Sequence, residues 1–250
     1  MGEWNENYFS DLYAEIYQKW LIPKERTETE AEAIKLITGM NKSHLVLDVA
    51  AGYGRHACRL AGTSKIVAID FSQLYMKMAK HKGHDKLSCA VCDMRNLSFK
   101  SDTFDYLLLL FSSFGYFDVN SKKDQNLDML LEFRRVLKDD GEMLLEIPNP
   151  ESVCDAVSEN THSLMTNGVY EVEEEFYFDP EFMTLENKTV FRKGKRHEES
   201  SYRLFLYDIA RMKKELTARG FKILKVYGDY EGSSFRKNVS DIALFHCKKN

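Results

Sequence analysis

Acidic residues and glycines stand where three successive apolar runs of the sequence end. Gly52 and Gly54 follow Asp48 after the first run, Asp70 closes the second, and Asp93 closes the third. Glycine lets the backbone take positive φ angles and pass close to a ligand. A carboxylate beside such a turn can accept hydrogen bonds from ribose hydroxyls or from an amine. Three such features at consecutive strand ends predict a site for a nucleoside-containing ligand.

Each of these features also has a structural interpretation. Asp70 can cap a helix that begins near Ser72, and Asp93 can cap a turn. A Gly-x-Gly turn serves several kinds of nucleotide, and Ala57 stands where a dinucleotide-binding turn typically carries its third glycine. The combination of the three features outweighs these separate alternatives, so we interpret them as one site.

The elements that position these residues follow from apolar runs that alternate with helical segments. Such runs, bounded by turn residues, are typical of parallel strands buried on both faces. Strands are predicted over 44–50, 65–70, 87–92, 104–111, 142–147, 221–227 and 241–247, and helices over 55–61, 72–80, 124–137 and 206–219. This order predicts an α/β fold with a doubly wound, seven-stranded, mostly parallel sheet.

The N-terminal segment has a different pattern. A four-residue interval separates the aromatic and apolar residues Trp4, Tyr8, Leu12, Ile16 and Trp20. This spacing predicts a helix with one aromatic face. We therefore expect residues 1–40 to form a helical cover that precedes the sheet.

Residues 168–205 alternate apolar and polar side chains, which is typical of antiparallel strands with one buried face. We expect an antiparallel β insertion after the fifth strand of the main sheet. The predicted organisation is a cofactor-binding domain over 41–167 and 206–250, with the insertion at 168–205. The insertion either roofs a substrate pocket or forms a contact in a homodimer, and the sequence does not distinguish these roles.

Composition limits the class of protein. A length of 250 residues fits one α/β domain with a small elaboration. No run approaches the roughly 18 apolar residues that a membrane span requires, and the opening residues lack the order of a signal peptide. A net charge of -4 gives no electrostatic footprint for a phosphate backbone, so neither a membrane nor a nucleic acid is expected as partner.

The five cysteines are odd in number and scattered, as expected of reduced thiols in the cytoplasm. Cys89 and Cys92 have a spacing seen in zinc sites, but they fall in a strand-like run and no second pair exists. No metal site is therefore expected.

Four segments carry a resemblance to a known family. LDVAAGYGRHACRLA, AIDFS, CDMRNLSF and FDYLLLLFSSFGYFD resemble the successive motifs of class I S-adenosylmethionine-dependent methyltransferases, in particular the small-molecule type with GYGRHA and FxSFGYF segments. YFSDLYAEIY and KERT near the N-terminus look like the active-site cover of that group. The resemblance spans nearly the whole chain and implies a Rossmann-like domain with S-adenosylmethionine as cofactor.

The resemblance also implies roles for single residues. Asp48 and the loop with Gly52 and Gly54 would face the methionine part of the cofactor, Asp70 the ribose, and Asp93 the adenine. The expected cofactor-binding residues are Asp48, Ala50, Gly52, Gly54, Asp70, Phe71, Asp93, Met94 and Phe111. Ala50 departs from the pattern, because many relatives carry glycine there; alanine fits if its φ angle stays negative.

The acceptor side of the pocket is less well defined by the sequence. Its expected lining residues are Tyr13, Tyr17, Arg26, Phe114, Tyr116 and Asn149. Tyr13 and Tyr17 are equally explained by packing within a helical core, and Arg26 by a surface ion pair. His56 and Tyr116 are weak candidates for a general base, His56 because it lies in the first turn of a helix.

The segment FSSFG after the fourth strand lacks the Asn/Asp-Pro-Pro-aromatic signature that resembles enzymes methylating amines of nucleic-acid bases. We therefore expect methyl transfer to an O or N atom of a small molecule. Two alternatives stay open at this point: a catalytically silent protein that binds S-adenosylmethionine, and an NAD-dependent oxidoreductase.

Overall fold

The computed structural model describes residues 10–120 and 123–250. Its helices are α1 (Asp11–Ile16), which continues as a π-helix (Tyr17–Leu21), α2 (Lys24–Thr38), α3 (Arg55–Leu60), α4 (Gln73–His81), α5 (Gln125–Val136), α6 (Pro150–Glu159) and α7 (Ile209–Ala218). The strands of the main sheet are β1 (Leu45–Val49), β2 (Lys65–Asp70), β3 (Leu87–Val91), β4 (Phe104–Leu109), β5 (Leu137–Pro148), β10 (Phe221–Tyr227) and β11 (Ile242–Lys249). Between β5 and β10 lie β6 (His162–Thr166), β7 (Tyr170–Asp179), β8 (Thr184–Lys193) and β9 (Arg196–Phe205).

The main sheet has seven strands in the order β10-β11-β5-β4-β1-β2-β3. Six strands are parallel, and β11 is antiparallel to both of its neighbours. The predicted doubly wound, mostly parallel sheet is therefore confirmed. The strand order reverses beside β1, and open α/β sheets bind ligands beyond the carboxyl ends of the strands at such a point.

The central strands are apolar because they are buried on both faces. In β4, Leu107 and Leu109 point into the core on one side of the sheet, and Leu108 points into the core on the other. All three side chains are fully buried. A strand alternates its side chains between faces, so a continuous apolar run is what a two-sided core requires.

The antiparallel insertion forms a separate sheet in the order β9-β8-β7-β6. It begins with β6 at His162, six residues before the predicted start at 168, and α6 precedes it. β8 pairs with β7 and β9 along ten residues each. We call β6 to β9 the second sheet.

The described part of the N-terminal cover contacts both parts of the chain, because α1 packs on β8 of the second sheet and α2 packs on α3. Leu12 and Ile16 of the predicted stripe are fully buried, and Trp20 stacks on Tyr170 of β7 with ring centroids 6.4 Å apart. Trp4 and Tyr8 lie outside the described residues. Within the described ranges no helix is long and apolar enough to span a membrane.

Candidate functional site

A cavity of about 540 Å³ lies beyond the carboxyl ends of the parallel strands. The residues that follow four of these strands line it: Ala50 after β1, Phe71 after β2, Cys92 after β3 and Leu110 after β4. Tyr202 and Leu204 of the second sheet line it as well. Its size is within the range of small-molecule pockets, about 300–1,000 Å³. The cavity is thus walled by the main sheet, the second sheet and the N-terminal cover.

The structure brings most of the predicted site residues to this cavity. Its wall includes Tyr13, Tyr17, Arg26, Asp48, Ala50, Gly52, His56, Asp70, Phe71, Asp93, Met94, Phe111 and Tyr116. These residues come from segments far apart in the sequence, and the strand order places them together.

Three predicted residues lie outside the cavity wall. Gly54 has a φ of +77°, and a Cβ atom there would lie 2.7 Å from the Cβ of Ala79. The absence of a side chain at Gly54 therefore allows α3 to pack closely on α4. Phe114 is 1% exposed and packs edge-to-face on Tyr207 in the core. Asn149 is buried and donates from Nδ2 to the carbonyl oxygens of Lys237 and Ser240, 2.6 and 2.7 Å away. The structure gives these three residues packing and backbone contacts instead of a place in the cavity wall, and their expected roles at the ligand stay predictions.

Asp70 fixes the turn after β1. Its Oδ2 accepts a hydrogen bond from the Gly52 N–H at 2.9 Å, and its Oδ1 accepts one from the Ser72 N–H at the same distance. Burial raises the pKa of this carboxyl, and the two N–H groups oppose the rise. Each carboxylate oxygen keeps a second lone pair. Asp70 can therefore hold the turn and accept hydrogen bonds from a ligand.

Asp48 and Arg55 carry buried polar atoms with no partner. Asp48 is 3% exposed, and no donor among the described residues lies within hydrogen-bond distance of its Oδ2. Nη2 of Arg55 likewise has no hydrogen-bond acceptor among the described residues. Burial raises the pKa of Asp48 to about 7, the positive charge of Arg55 lowers it, and the charge of Asp70 raises it. Native proteins leave few buried polar atoms unsatisfied. A ligand with a cationic and an anionic group could satisfy both atoms.

Ala50 takes a φ of +51°, so the expectation of a negative φ was wrong. The left-handed region costs an L-residue roughly 1–2 kcal/mol through contact of its Cβ with the following carbonyl. Ala51 donates from its N–H to the Ile69 carbonyl at 2.9 Å, which anchors the chain after Ala50 to β2. The turn therefore holds alanine in a conformation that suits glycine.

The carboxylate of Asp93 is bound by its neighbour Arg95. The Arg95 side chain reaches Oδ2 at 2.6 Å, and the Arg95 N–H reaches Oδ1 at 2.9 Å. Burial raises the pKa of Asp93, but these hydrogen bonds lower it further than burial raises it. The Arg95 guanidinium also lies 4.4 Å from the ring centroid of Phe117. Met94, beside them, packs against the main core.

A buried ion cluster, which the sequence analysis missed, joins α2 to α3 beside the cavity. The Glu30 carboxylate accepts hydrogen bonds from Arg26 Nε and His56 Nε2, both at 2.8 Å, and from Arg55. Burial alone would raise the pKa of Glu30, but the bond from His56 and the charge of Arg55 lower it to about 2. Burial lowers the pKa of His56 to about 4 against the opposing effect of Glu30. His56 is therefore a neutral, weak proton acceptor.

A second missed group holds the chain after β4. Phe111 and Ser112 have φ angles of 56° and 54°, so two consecutive residues with side chains lie in the left-handed region. The carboxylate of Glu146 on β5 accepts from the Phe111 N–H at 2.9 Å and from Ser112 Oγ at 3.3 Å. Tyr230 donates its hydroxyl to the same carboxylate at 2.6 Å. Burial raises the pKa of Glu146, and these donors oppose the rise.

Aromatic rings face each other across the cavity. Tyr13 and Tyr17 of the N-terminal cover stack with centroids 4.2 Å apart, and Tyr17 makes a T-shaped contact with Phe111 at a centroid distance of 6.5 Å. Tyr116 meets Tyr202 of the second sheet at 5.8 Å. Burial raises the pKa of Tyr17, Tyr116 and Tyr202, so their hydroxyls stay protonated at neutral pH.

The two missed groups differ in how visible they are in the sequence. Glu146 interrupts the apolar strand MLLEIP, and a carboxylate in a buried strand is a signal for a functional or positioning group. Glu30 gives no such signal, because it lies in KERTETEAEAIK, a segment whose charges look like those of an exposed helix. Its burial follows only from the docking of α2 on α3.

Residues 46–141 match the family model described as a methyltransferase domain. An S-adenosylmethionine-dependent methyltransferase from Clostridium acetobutylicum superposes with a TM-score of 0.81 at 18% identity, over 95% of this chain and 98% of its own. The CcbJ methyltransferase from Streptomyces caelestis gives 0.80 at 16% identity, over 98% and 99%. CalS10, an amino pentose methyltransferase from Micromonospora echinaspora with bound S-adenosylmethionine, gives 0.65 at 14% identity, over 98% and 99%. None of the curated proteins compared with the chain matches it.

The structural likenesses, at these identities, establish the fold, which is that of class I methyltransferases. The family match covers the strands and turns that build the cavity, from β1 into β5. The chain therefore contains a methyltransferase domain over residues 46–141, and it shares the fold of S-adenosylmethionine-dependent methyltransferases.

Proposed function

We propose that the protein transfers the methyl group of S-adenosylmethionine to an oxygen or nitrogen atom of a small molecule bound in the described cavity. The observation that carries this proposal is the enclosure of the cavity by three parts of the chain. Tyr17 of the N-terminal cover and Tyr202 of the second sheet line it together with Asp48 and Asp70 of the main sheet. A volume lined by three parts of the chain suits a small acceptor beside the cofactor.

The cofactor half is assigned to the turn after β1 and the ends of β2 and β3. Asp70 would accept hydrogen bonds from the ribose hydroxyls, and Asp93 with Met94 would face the adenine. The unpartnered Oδ2 of Asp48 and Nη2 of Arg55 suit the ammonium and carboxylate of the methionine part. These two buried atoms are the feature of the cavity that fits S-adenosylmethionine best.

The bound cofactor supplies a methyl group on a sulfonium, which is already a strong electrophile. The chain then has two tasks: to hold the acceptor atom in line with that methyl and to exclude water. The stacked Tyr13 and Tyr17 and the edge-to-face pair of Tyr116 and Tyr202 suit these tasks. Since the pKa of His56 is about 4, we propose that it positions Glu30 and Arg55 rather than accepting a proton.

Two further observations support the acceptor class and the compartment. CalS10, which shares the fold, acts on an amino pentose, a small molecule. The five cysteines of this chain are all free thiols, as in proteins of a reducing compartment, and we propose the cytoplasm. The lining by Tyr202 and Leu204 favours the second sheet as the roof of the acceptor site.

The first test measures binding of S-adenosylhomocysteine by calorimetry to the wild type and to Asp70→Ala. We expect the variant to bind at least about tenfold more weakly, because a charged acceptor of two hydroxyls is lost. Asp85→Ala is the matched control, since Asp85 is exposed and lies outside the cavity wall. Equal affinity of Asp70→Ala and wild type would contradict the assignment of the ribose site.

The second test measures turnover with a panel of small amines, hydroxyl compounds and amino sugars, with the methylated product detected by mass. Formation of a product by the wild type, and its loss in Asp70→Ala, is the expected result. Binding of S-adenosylhomocysteine without turnover of any acceptor would favour a silent cofactor-binding protein. Binding of NADH in its place would favour an oxidoreductase.

A further inference from the structure

Phe111 is the residue at which the walls of the cavity meet. It is 37% exposed and lines the cavity, and the ring of Tyr17 from the N-terminal cover makes a T-shaped contact with its ring. The guanidinium groups of Arg55 and Arg26 lie 4.8 and 5.8 Å from its centroid. The position of this one ring therefore affects the cover, the charged cluster of α2 and α3, and the ligand space together.

The backbone that carries this ring is strained. Phe111 and Ser112 are consecutive residues with positive φ, and neither is glycine. Such residues persist only where the surrounding structure holds them, and they concentrate at functional sites. What holds them here is the Glu146 carboxylate, which accepts from the Phe111 N–H and from Ser112 Oγ.

Tyr230 binds this carboxylate, and both residues lie outside the methyltransferase family match, which ends at residue 141. Tyr230 lies in the segment between β10 and β11, and it donates its hydroxyl to Glu146 Oε2 at 2.6 Å. Glu146 is 4% exposed, and the residues beside it on the strand, Leu144, Leu145 and Ile147, are buried and apolar. A buried carboxylate is costly unless its oxygens are satisfied, so the three donors and the carboxylate stabilise one another.

We propose that Glu146 and Tyr230 act as a positioning pair that holds the Phe111–Ser112 turn in its strained conformation and so sets the Phe111 ring for ligand binding. We call this pair the brace. The inference rests on the assignment of the cavity to the cofactor, and it is independent of which acceptor the protein methylates. It predicts that the brace affects ligand affinity more than it affects the stability of the fold.

The test compares Glu146→Gln and Tyr230→Phe with two matched controls. Glu142→Gln removes a carboxylate of the same strand that is bound to His246 at 2.7 Å, and Tyr106→Phe removes a tyrosine hydroxyl bound to the Thr38 carbonyl at 2.7 Å. Neither control residue lines the cavity. The affinity for S-adenosylhomocysteine is measured by calorimetry, and the midpoint of thermal unfolding is measured for each variant.

We expect each brace variant to weaken binding about tenfold or more, and each control to change it less than about twofold at a comparable loss of thermal stability. If the brace variants bind like the controls, the proposal is overturned. Tyr230→Phe keeps the test decisive if Glu146→Gln fails to fold, because it removes only one hydroxyl from the group. If the wild type itself does not bind S-adenosylhomocysteine, the assignment of the cofactor site is refuted instead.

A rescue experiment separates positioning from direct contact with the ligand. Ser112→Gly lowers the cost of the positive φ at that position, so the turn needs the brace less. In the Ser112→Gly background, the effect of Glu146→Gln on affinity should fall to about threefold or less. An undiminished effect would mean that Glu146 contacts the ligand directly, and the positioning role would be wrong. In a double-mutant cycle, Ser112→Gly should reduce the effect of Tyr230→Phe on affinity in the same way.

Discussion

The Asp48 carboxyl group makes the pH dependence of stability a direct test of the site. Its pKa rises from 3.8 to about 7 because it is buried, and its Oδ2 has no partner in the described part of the chain. The folded protein thus binds the Asp48 proton more tightly than the unfolded chain does. Ionised Asp48 destabilises the fold, and this penalty is absent below pH 3.8, grows between pH 3.8 and 7, and is complete above pH 7.

The size of the penalty follows from the shift. A change from 3.8 to about 7 at 1.36 kcal/mol per unit corresponds to about 4 kcal/mol. Asp48→Asn removes the ionisable group and keeps its shape. We therefore expect the free energy of unfolding of ligand-free Asp48→Asn to exceed that of the wild type by up to about 4 kcal/mol at pH 8, with little difference at pH 4.

The assay is urea unfolding of ligand-free protein at pH 4, 6 and 8, with Asp105→Asn as control. Asp105 is the opposite case: burial raises its pKa, but the Leu45 N–H and Lys138 lower it below its usual value. Asp105→Asn should therefore destabilise the protein at pH 8, and less so as the pH falls. If Asp48→Asn lowers stability equally at all three pH values, the reasoning from an unpaired buried carboxylate is refuted.

The same residue predicts how ligand binding depends on pH. An ammonium group beside Asp48 stabilises the ionised form, so binding of S-adenosylhomocysteine should release a proton near pH 6 and strengthen as the pH rises toward 8. Calorimetry in two buffers of different ionisation enthalpy measures the released proton. Asp48→Asn should bind more weakly than the wild type at pH 8 and release no proton at this position.

Two other substitutions test the strain and the charges around the cavity. Ala50→Gly should raise the free energy of unfolding by up to about 1 kcal/mol, because glycine tolerates a φ of +51°. The control Ala61→Gly, at a φ of -60°, should lower it by about 0.5–1 kcal/mol. A loss of stability in both variants would contradict the strain at Ala50. Glu30→Gln should destabilise the protein by about 3 kcal/mol at pH 7, because it breaks a buried ion cluster whose carboxyl pKa is lowered to about 2. This loss should shrink as the pH falls from 4.5 to 2, and chemical unfolding across that range measures it.

The main sheet was predictable because its strands are buried on both faces. Burial on two sides forces runs such as those around β1 and β4 to be apolar throughout, and that pattern is visible without coordinates. The start of the second sheet was less visible. β6 has the alternation of exposed and half-buried residues in HSLMT, too short a pattern to distinguish from a loop, and it begins at His162.

The strand-end carboxylates were predictable for a similar reason: Asp48 and Asp70 end buried strands, and the topology of such sheets brings their carboxyl ends together. Glu30 and Tyr230 were not, because their positions depend on how α2 and the segment after β10 dock on the sheet. Ala50 was misjudged because residue type indicates which backbone angles are cheap, while the surrounding turn decides which angle is adopted.

Several costs accumulate around this one cavity. Asp48 and Arg55 keep buried polar atoms unpartnered, and Ala50, Phe111 and Ser112 hold positive φ angles. Other atoms and residues of these kinds lie elsewhere in the described chain, but these five residues line the cavity, and each lowers the stability of the ligand-free fold. A zwitterionic ligand would satisfy the two buried atoms, so binding it should stabilise the fold by more than its contact area alone provides. The stability that the ligand-free fold loses at these buried atoms is then part of what makes the site selective for a charged cofactor.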